Sequence, residues 1–578
     1  MIIFTLLYTL CNFLAAAYFF RSSFSFSFPW LPFGIDLSFR LYSFNAFIIL
    51  AAASFGLLIA LYSAALMKGK KYAWQFYALL ILSLIFIDGA VLADNLLVML
   101  FFWEGLLAAL FGMIAIGREG AFKTATKAFI ILGICDLCMM FGIILTGSLA
   151  GTLAISQIHL PLDTLGSIAF IFLMIGAVSK GGCMPFHSWI PDAALDAPLP
   201  FMALFPASIE KLLGIYFLTR ISLDMFALTA NSWVSVLLMV LGALTIILAV
   251  MMALIQKNYK RLLSYHAISQ VGYMILGIGT ATPVGIVGGI FHMINNAMYK
   301  SCLFLTGGSV EKQAGTADLE KLGGLWSKMP VTFLCFFITA VSISGVPPFN
   351  GFFSKELIYD GALERGMIFY LAAVVGSFFT AASFLKLGHA AFLGKIRDEN
   401  KNVKEAPLTM LIPMIIIAAG CVVFGLWNYI PIGIIQPVLG IRAEGHIFSG
   451  FPPNMMLVFI TAIVLLGALV NHIYGAIRKG SGLKAADHIH YAPGLATIYD
   501  MAENRYFDPY DIGLKFVNLI SAIGWAIDRG VDWIYDTFIV KLTFAFTNGI
   551  RRAHNGSFVV YLLWAAAGSV LAMIYLAR

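Results

Sequence analysis

The sequence predicts an all-α, polytopic membrane protein, and three observations indicate this fold class. Hydrophobic residues make up 61% of the 578 residues, and the mean hydropathy is +0.92. Only 11% of the residues are charged, and they cluster between long apolar runs. About fifteen of these runs approach the roughly 20 residues that an α-helix needs to cross a bilayer. A water-soluble chain of this composition would have too little polar surface.

The predicted spans follow one another along most of the chain. The apolar N-terminus has no basic region of the kind that precedes a cleaved signal sequence, so it is predicted to be a retained first helix. The approximate helix centres are residues 11, 54, 83, 105, 135, 174, 211, 244, 270, 297, 342, 380, 419, 466 and 567. The predicted segments are N-terminal transmembrane helices at 1–73, a first repeat at 74–220, a second repeat at 234–394, further transmembrane helices at 405–480, an amphipathic helix at 498–552 and a final transmembrane helix at 557–578.

Basic residues predict the orientation of these helices. If every span crosses once, one face collects most of the lysines and arginines, among them Lys68, Arg118, Lys257, Lys321 and Lys395. The other face collects Arg21, Arg40, Arg220, Arg365 and Arg442. By the positive-inside rule the basic-rich face is cytoplasmic, which places the N-terminus inside and the C-terminus outside. The net charge of +7 therefore reflects loop bias and does not indicate nucleic-acid binding.

Two spans are interrupted by glycine and proline, each beside a lysine. SKGGCMPFHSWIPDA begins just before Lys180, and GVPPFNGFFSKELI ends just after Lys355. Broken helices at matching positions are typical of internal repeats in transporters, and backbone groups freed by the breaks must line a cavity or meet another helix. Because the breaks lie five predicted helices apart, the two repeats are expected to have inverted membrane orientations.

Ionisable residues at membrane depth are the strongest indication of function. Glu104, Lys180, Lys211, Lys300 and Lys355 each lie within long apolar sequence. Such residues are costly in a bilayer and persist mainly where ions or protons move. A desolvated lysine can lose its proton near neutral pH, so four lysines favour proton handling. The alternatives are an inert ion pair for the first two and simple solvation of the last.

Polar residues between these groups are predicted to hold a chain of waters along the membrane midplane, in particular His266, Gln270, His292, Asn295 and Asn296. The histidines have the alternative of being hydrogen-bonded packing groups. Cys135 and Cys138 form a C-x-x-C inside an apolar helix without a second pair, which indicates two buried thiols. No dinucleotide fingerprint, P-loop or four-cysteine cluster is present in the sequence, so no redox cofactor is predicted on this chain.

The C-terminal region differs from the rest. Apolar residues from Ile512 to Phe538 recur at three- and four-residue steps, and Asp528, Asp532 and Asp536 form a stripe on another face. This pattern predicts an amphipathic helix lying along a surface, from Tyr510 to Arg552, rather than a span. The apolar run at 558–576 returns to the membrane.

Several ordered segments resemble the antiporter-like subunit family of respiratory complex I, which also occurs in Mrp-type cation/proton antiporters and energy-converting membrane hydrogenases. They are VLADNLLVMLFFWEG, KAFIILGICD, SKGGCMPFHSWIPDA, residues 254–279, FHMINNAMYKSCLFLTGGSV and GVPPFNGFFSKELI. The lateral helix followed by one more span is similar to the long, subunit-L type of this family. The segment PASIEKLLGIY is more similar to the subunits of energy-converting hydrogenases than to those of quinone-reducing complexes.

The resemblance implies roles for matched positions. Glu104 takes the position of the family's intramembrane glutamate and Lys180 that of its partner lysine. Lys300 matches the central lysine of the second half, and Lys355 matches the terminal lysine on the second broken helix. The same alignment matches a histidine and an acidic position of the family with His292 and Asp136, whereas histidines usual in the family are replaced here by Pro206 and Asn296.

The prediction is an ion-translocating subunit of a redox-driven complex of hydrogenase or complex I type, moving protons or, alternatively, sodium ions. Lys180 with Glu104 would form the input switch, Lys300 the middle relay and Lys355 the exit relay. Iron–sulfur clusters, with a nickel–iron centre as an open alternative, would lie on peripheral redox partners, and other membrane subunits would adjoin the chain in the cell membrane. The rival is an Mrp-type antiporter subunit without redox chemistry. A passive scaffold and a subunit coupled to inorganic-carbon capture are further alternatives.

Overall fold

The computed structural model describes residues 1–31, 35–438, 452 and 454–578. Arg442 and the middle of the predicted segment 405–480 lie outside the described residues. The described chain divides into two compact units, Met1–Asn504 and Arg505–Arg578. Most of it is helical, which confirms the predicted all-α class.

The N-terminal helix α1 (Ile2–Phe19) is followed by a β-hairpin that the sequence analysis did not predict. Strand β1 (Phe24–Leu31) pairs antiparallel with β2 (Ile35–Leu41). The alternation of serine and phenylalanine in β1 has the two-residue period of a strand, and it stacks Phe24, Phe26 and Phe28 on one face. The predicted helical segment 1–73 therefore contains a short sheet.

Most helices of the first half are long and apolar. They are α2 (Ser43–Leu66), α3 (Ala73–Leu92), α4 (Leu96–Ala115), α5 (Ala121–Ala150), α6 (Thr164–Gly181), α7 (Trp189–Asp196), α8 (Leu199–Leu204) and α9 (Glu210–Arg220). A π-helical turn, Phe205–Ile209, joins α8 to α9, and a second one, Ile221–Met225, follows α9. The segment from α8 to the second π-helical turn is buried almost throughout, so it lies at the centre of the unit.

The second half repeats this arrangement of long helices around a broken one. Its helices are α10 (Trp233–Ile255), α11 (Tyr259–Gly279), α12 (Pro283–Ala314), α13 (Pro330–Ser344), α14 (Asn350–Arg365) and α15 (Met367–Ala391). The remainder of the first unit consists of α16 (Leu408–Leu426), α17 (Tyr429–Ile435), α18 (Met455–Lys479), α19 (Asp487–His490) and α20 (Leu495–Glu503). Helix α12 is buried over most of its length, so its polar residues face other helices and not lipid.

Twelve helices of the described chain are long and apolar enough to cross a bilayer, so the chain is a multi-pass membrane protein. All fifteen predicted centres fall on helices, but α11, α12 and α13 are not among the twelve. Helix α13 has 15 residues because the second break shortens it. Helices α11 and α12 carry too many polar residues, which is tolerated because they are buried among other helices.

Both breaks have the same backbone geometry. Gly182 ends α6 at φ +81°, and Gly345 ends α13 at φ +86°. Each glycine N–H donates to the carbonyl three residues before it, at 2.9 and 3.0 Å, and the following N–H donates to the carbonyl five residues before it, at 3.0 Å in both. This is the Schellman arrangement, which needs a left-handed residue and therefore favours glycine. The match between the breaks supports an internal repeat, while the repeat bounds stay a prediction.

The second unit contains the predicted amphipathic helix. Helix α21 (Pro509–Asp532), a π-helical segment (Trp533–Ile539) and α22 (Val540–Ala553) form one continuous helical stretch, and α23 (Phe558–Leu576) follows. None of these four segments has a buried residue within the described chain. Their apolar faces are thus available to lipid or to a neighbouring protein.

Candidate functional site

The first-half cluster consists of Trp103 on α4, Asp136 on α5 and Lys180 on α6. The Lys180 amine lies 3.7 Å from Asp136 Oδ2 and 5.0 Å from the centre of the Trp103 ring. Trp103 Nε1 donates a hydrogen bond of 2.8 Å to Asp136 Oδ1. All three side chains are buried, so a carboxylate and an amine face each other away from water.

Glu104 lies next to Trp103 on α4 but is only half-buried. Glu104 was predicted to pair with Lys180, whereas in the described chain the carboxylate at ion-pair distance from the Lys180 amine is that of Asp136. Successive helix residues point about 100° apart, so when Trp103 faces α5 and α6 its neighbour turns toward the edge of the bundle. Glu104 is thus peripheral to the cluster.

Lys211 reaches the first helix break. It lies at the start of α9, and its amine donates a hydrogen bond to the carbonyl of Gly181, the last residue of α6. The last carbonyls of a helix have no partner within it and carry partial negative charge, which makes them a site for an amine. Lys211 is fully buried, and its amine lies 3.0 Å from the position that a Cβ on Gly182 would occupy.

Glu210 is a buried acid beside this lysine. It follows the π-helical turn that contains Pro206, and its N–H donates to the carbonyl of Phe205, five residues earlier. The residue is fully buried, and neither carboxylate oxygen has a hydrogen-bond partner. A buried acid with two unpaired oxygens needs an explanation, such as a bridging water or a proton-transfer role. Glu210 was not predicted as a site residue from the sequence.

Lys300 lies at the centre of the second half, on α12. Its amine donates to the carbonyl of Leu263 at 2.9 Å and lies 5.9 and 5.5 Å from the ring centres of Phe304 and Phe384. His266 lies one turn further along α11 from Leu263 and shares a 2.7 Å hydrogen bond between Nε2 and Ser383 Oγ. The amine is therefore held by one carbonyl and by aromatic faces.

His292 lies on α12, eight residues before Lys300, and forms the hub of a side-chain network. Its Nδ1 shares a 2.9 Å hydrogen bond with Ser354 Oγ, and its Nε2 lies 3.0 Å from Gln270 Oε1. The Tyr299 hydroxyl lies 3.2 Å from the same Nε2 and donates to Gln270 Oε1 at 3.3 Å. This network joins α11, α12 and α14 and ends one residue before Lys355.

Lys355 lies on α14, just after the second break. Its amine donates to Ser377 Oγ on α15 at 3.0 Å and lies 5.0 Å from the centre of the Tyr273 ring. The hydroxyls of Tyr273 and Tyr359 also bond with Ser377. Lys355 is buried, so the predicted alternative of a simply solvated lysine does not describe it.

A hydrogen bond from Asn296 is among those that link the two halves near these lysines. The side-chain amide of Asn296 on α12 donates to the carbonyl of Ala207, in the π-helical turn before α9, at 3.4 Å. The structure buries all seven of these site residues, which are together termed the axis below: Asp136, Lys180, Lys211, Lys300, His266, His292 and Lys355. Glu104 is only half-buried.

Several buried polar residues beside this axis were not predicted from the sequence. Ser377 and Ser383 were overlooked because serines inside apolar helices are common and carry little signal. Lys386, buried on α15, donates to the carbonyls of Leu254 and Gln256. Its position within the apolar run around residue 380 was the available signal.

A pair of groups with shifted pKa values lies outside the membrane segments, at the basic-rich face. Lys257 Nζ and Glu320 Oε1 lie 2.8 Å apart, both well exposed. Their hydrogen bond raises the pKa of Lys257 and lowers the pKa of Glu320. Exposed pairs of this kind stabilise a protein little and mark a solvated surface.

Sequence comparison extends over the whole axis. A family profile described as "NADH:quinone oxidoreductase/Mrp antiporter, TM" matches residues 93–380. The A1 subunit of the Na(+)/H(+) antiporter of Staphylococcus epidermidis is 32% identical over 89% of this chain and 69% of that protein. The A1 subunit of Staphylococcus haemolyticus is 31% identical over 76% of this chain and 60% of that protein. An Na(+)/H(+) antiporter subunit of Alkalihalophilus pseudofirmus is 32% identical over 73% and 57%. The chain thus spans less than two thirds of the latter two relatives.

Solved structures share the fold. A chain of the Mrp complex from Dietzia sp. superposes with a TM-score of 0.68 at 22% identity, covering 80% of this chain and 93% of that one. A chain of the membrane-bound sulfane sulfur reductase, an archaeal respiratory membrane complex, gives 0.67 at 21% identity and covers 99% of both chains. A chain of respiratory complex I from Thermus thermophilus gives 0.68 at 20% identity, covering 77% and 99%.

The matched region runs from the start of the first-half cluster to the middle of α15. It therefore contains both breaks and every lysine of the axis up to Lys355. The Staphylococcus epidermidis relative extends the similarity well beyond that region on both sides. On this evidence, the chain belongs to the family of antiporter-like membrane subunits found in NADH:quinone oxidoreductases and Mrp antiporters.

Proposed function

We propose that the chain translocates protons across the membrane through the buried axis, as a subunit of an Mrp-type cation/proton antiporter. One observation carries this proposal. Four buried lysines have no carboxylate at ion-pair distance within the described chain, namely Lys211, Lys300, Lys355 and Lys386. A fixed charge without a counter-charge is costly in a low-dielectric interior. A lysine that can pass its proton to a neighbour avoids this cost, and this is the property that a relay requires.

Unpaired polar atoms indicate how protons would pass between the lysines. Buried atoms without a hydrogen-bond partner include Asp136 Oδ2, Lys180 Nζ, both oxygens of Glu210, Asn296 Oδ1, His266 Nδ1 and Gln270 Nε2. Buried polar groups of this kind are usually satisfied by ordered water. They follow the order of the axis, which supports a water-connected route from Lys180 to Lys355.

The axis couples its steps through charge. Two unit charges about 10 Å apart interact by about 2 kcal/mol at an effective dielectric of about 20. That energy changes the population of the protonated form of a neighbouring group by more than about tenfold. In the first half, separating Lys180 from Asp136 would release a proton to Glu210 or Lys211. In the second half, Lys300 would pass it through the His292 network to Lys355.

The relatives favour the antiporter over a redox-driven complex, which was the first prediction from the sequence. The three relatives compared by sequence are Na(+)/H(+) antiporter subunits. In this proposal sodium is the ion exchanged for protons, and the chain works beside other membrane subunits in the cell membrane, with its N-terminus in the cytoplasm and its C-terminus outside.

The second candidate is a subunit of a redox-driven respiratory complex. The observation that favours it is the fold match to a chain of the sulfane sulfur reductase, an archaeal respiratory membrane complex, with a TM-score of 0.67. In that case iron–sulfur clusters or a nickel–iron centre would lie on peripheral partners, and this chain would hold none.

The test is proton movement in everted vesicles that contain the complete complex with its natural partners. Lys300→Met should abolish sodium-dependent proton movement while the complex still assembles. Lys312→Met is the matched control, because Lys312 is an exposed lysine that also donates to a main-chain carbonyl, that of Ala65, at 2.7 Å. Transport that survives Lys300→Met would exclude the relay. Redox subunits that co-purify, with transport driven by electron flow instead of sodium, would select the second candidate.

A further inference from the structure

A second polar line leaves the axis along α15. Five polar residues recur there at three-residue steps: Ser377, Thr380, Ser383, Lys386 and His389. The first four are buried, with exposed fractions of 0 to 4%. Residues three positions apart are neighbours on a helix surface, so the five form a line that winds around α15. These five residues are termed the α15 stripe below.

The stripe touches the axis at two points. Ser377 accepts a hydrogen bond from the Lys355 amine at 3.0 Å. Two turns further on, Ser383 shares a 2.7 Å hydrogen bond with His266, which precedes Lys300 in the axis. The stripe is thus connected to the exit lysine and to the neighbourhood of the central lysine.

Lys386 lies three residues beyond Ser383 on α15, away from the contacts with the axis. Its amine donates to the carbonyls of Leu254 at 2.7 Å and of Gln256 at 3.0 Å, where α10 ends. Within the described chain, no carboxylate lies at ion-pair distance from this amine. Lys386 therefore repeats the arrangement of Lys211, an amine without a counter-charge held at the carbonyl end of a helix.

The stripe ends near the basic-rich face. His389 Nδ1 and His472 Nε2, on α15 and α18, lie 3.1 Å apart. Helix α15 ends two residues later, and Lys395 and Arg397 follow in the loop. Ala486, just before α19, packs against Leu254 and Ala382, so the entry to α19 lies near the end of α10 that holds the Lys386 amine.

We propose that the α15 stripe is a proton pathway between the basic-rich face and the relay lysines, with the His389–His472 pair at its mouth and Lys386 as its intermediate carrier. This rests on the proposed function of the axis, and it assigns that axis a second connection to solvent. Side chains one turn apart are about 5–6 Å from each other, a gap that one water can bridge. Threonine and serine hydroxyls both donate and accept, so they can pass a proton along such a line.

The competing explanation is that Lys386 only caps α10. The two roles differ in what they require of the amine. Capping requires a donor, whereas carrying requires a donor that can also lose its proton. Arginine keeps the donors and the charge but does not deprotonate in proteins. Lys386→Arg therefore separates the two roles.

The experiment compares Lys386→Arg with Lys312→Arg in the complete complex in everted vesicles. Lys312 also donates to the end of a helix, at the carbonyl of Ala65, but it is exposed and off the stripe. We expect both variants to assemble, and Lys386→Arg to lower proton movement by about tenfold or more, in the range of lost acid–base catalysis. Lys312→Arg should stay near the wild-type rate. Wild-type transport by an assembled Lys386→Arg complex would overturn the pathway.

A second variant decides the matter if Lys386→Arg does not assemble. Thr380 lies between Ser377 and Ser383 and donates only to the carbonyl of Gly376, one turn earlier. Thr380→Val keeps the shape and removes the hydroxyl, so a similar loss supports the pathway and an unchanged rate excludes it. Lys300→Met is measured in parallel. If Lys300→Met stops transport while Thr380→Val does not, the proposed pathway along the α15 stripe is refuted and the proposed function of the axis stands. If neither Lys300→Met nor Thr380→Val affects transport, both the pathway and the proposed function are refuted.

Discussion

The amine of Lys180 and the carboxylate of Asp136 lie 3.7 Å apart in the membrane interior, and neither Nζ nor Oδ2 forms a hydrogen bond. The pair is close enough for strong attraction and too far apart for a direct proton transfer. A small displacement of α5 against α6, or a water between the two groups, would change the interaction substantially. The first-half cluster thus has the geometry of a switch with two arrangements.

Asp136→Asn tests this switch. The amide oxygen of asparagine can still accept from Trp103 Nε1, so the packing around the indole is kept while the charge opposite Lys180 is lost. We expect proton movement to fall by about tenfold or more, because one lost charge interaction of about 1.4 kcal/mol gives a tenfold change. The measurement is the initial rate of proton movement in vesicles, normalised to the amount of assembled complex.

Glu104→Gln is the comparison for Asp136→Asn. Glu104 is half-buried at the edge of the bundle, and Asp136 holds the position opposite Lys180. If Asp136→Asn transports normally and Glu104→Gln does not, the functional partner of Lys180 is Glu104, as the family resemblance implied.

Glu210→Gln should reduce transport with little loss of stability. Neither oxygen of this buried side chain accepts a hydrogen bond, so the neutral amide replaces a group that no protein donor holds. Removing a buried uncompensated charge is neutral or stabilising when shape is kept. Thermal unfolding of the purified complex and the transport rate are measured together. Glu320→Gln, at an exposed carboxylate paired with Lys257, is the control and should change neither.

Much of the fold follows from local sequence signals. The two breaks were predictable because glycine and proline interrupt apolar runs beside lysines, and the structure places a left-handed glycine at each. The amphipathic helix was predictable from its three- and four-residue spacing, and the stretch from Tyr510 to Arg552 lies one residue inside its ends in the structure. The start of the predicted segment 498–552 instead belongs to the separate helix α20. The hairpin at Phe24–Leu41 was missed because its phenylalanines are as apolar as the residues of a membrane helix.

The site was less predictable than the fold. Lysines at membrane depth stand out in any apolar sequence, so Lys180, Lys300 and Lys355 were found. Their partners depend on how helices rotate against each other, which one sequence does not contain. Asp136 was identified as an acidic position, but its position opposite Lys180 results from the packing of α4, α5 and α6. The serines of α15 can be recognised as part of the site only from their contacts with His266 and Lys355.

Gly182→Ala should destabilise the protein more than Gly315→Ala. Both glycines have positive φ, +81° and +72°, and alanine in this conformation costs roughly 1–2 kcal/mol. A Cβ on Gly315 meets nothing within 4 Å, whereas a Cβ on Gly182 comes within 2.5 Å of Ile190 Cδ1 and 3.0 Å of the Lys211 amine. The midpoint of thermal unfolding measures the difference. Equal shifts in the two variants would show that backbone strain alone matters at the break.

The link between the two halves gives the last prediction. Asn296 donates to the carbonyl of Ala207, and its Oδ1 has no partner, so it can hold a water between the halves. Asn296→Leu removes both the hydrogen bond and the water-binding oxygen at nearly constant volume.

Ser301→Ala is the matched control, since Ser301 on the same helix also donates across to the first half, at the carbonyl of Ala203, 3.1 Å away. Both variants lose one buried hydrogen bond worth about 1 kcal/mol, so their stabilities should fall alike. Only Asn296→Leu should slow proton movement, by about tenfold or more, because only it interrupts the water route. Equal transport rates in the two variants would mean that the halves work independently of this link.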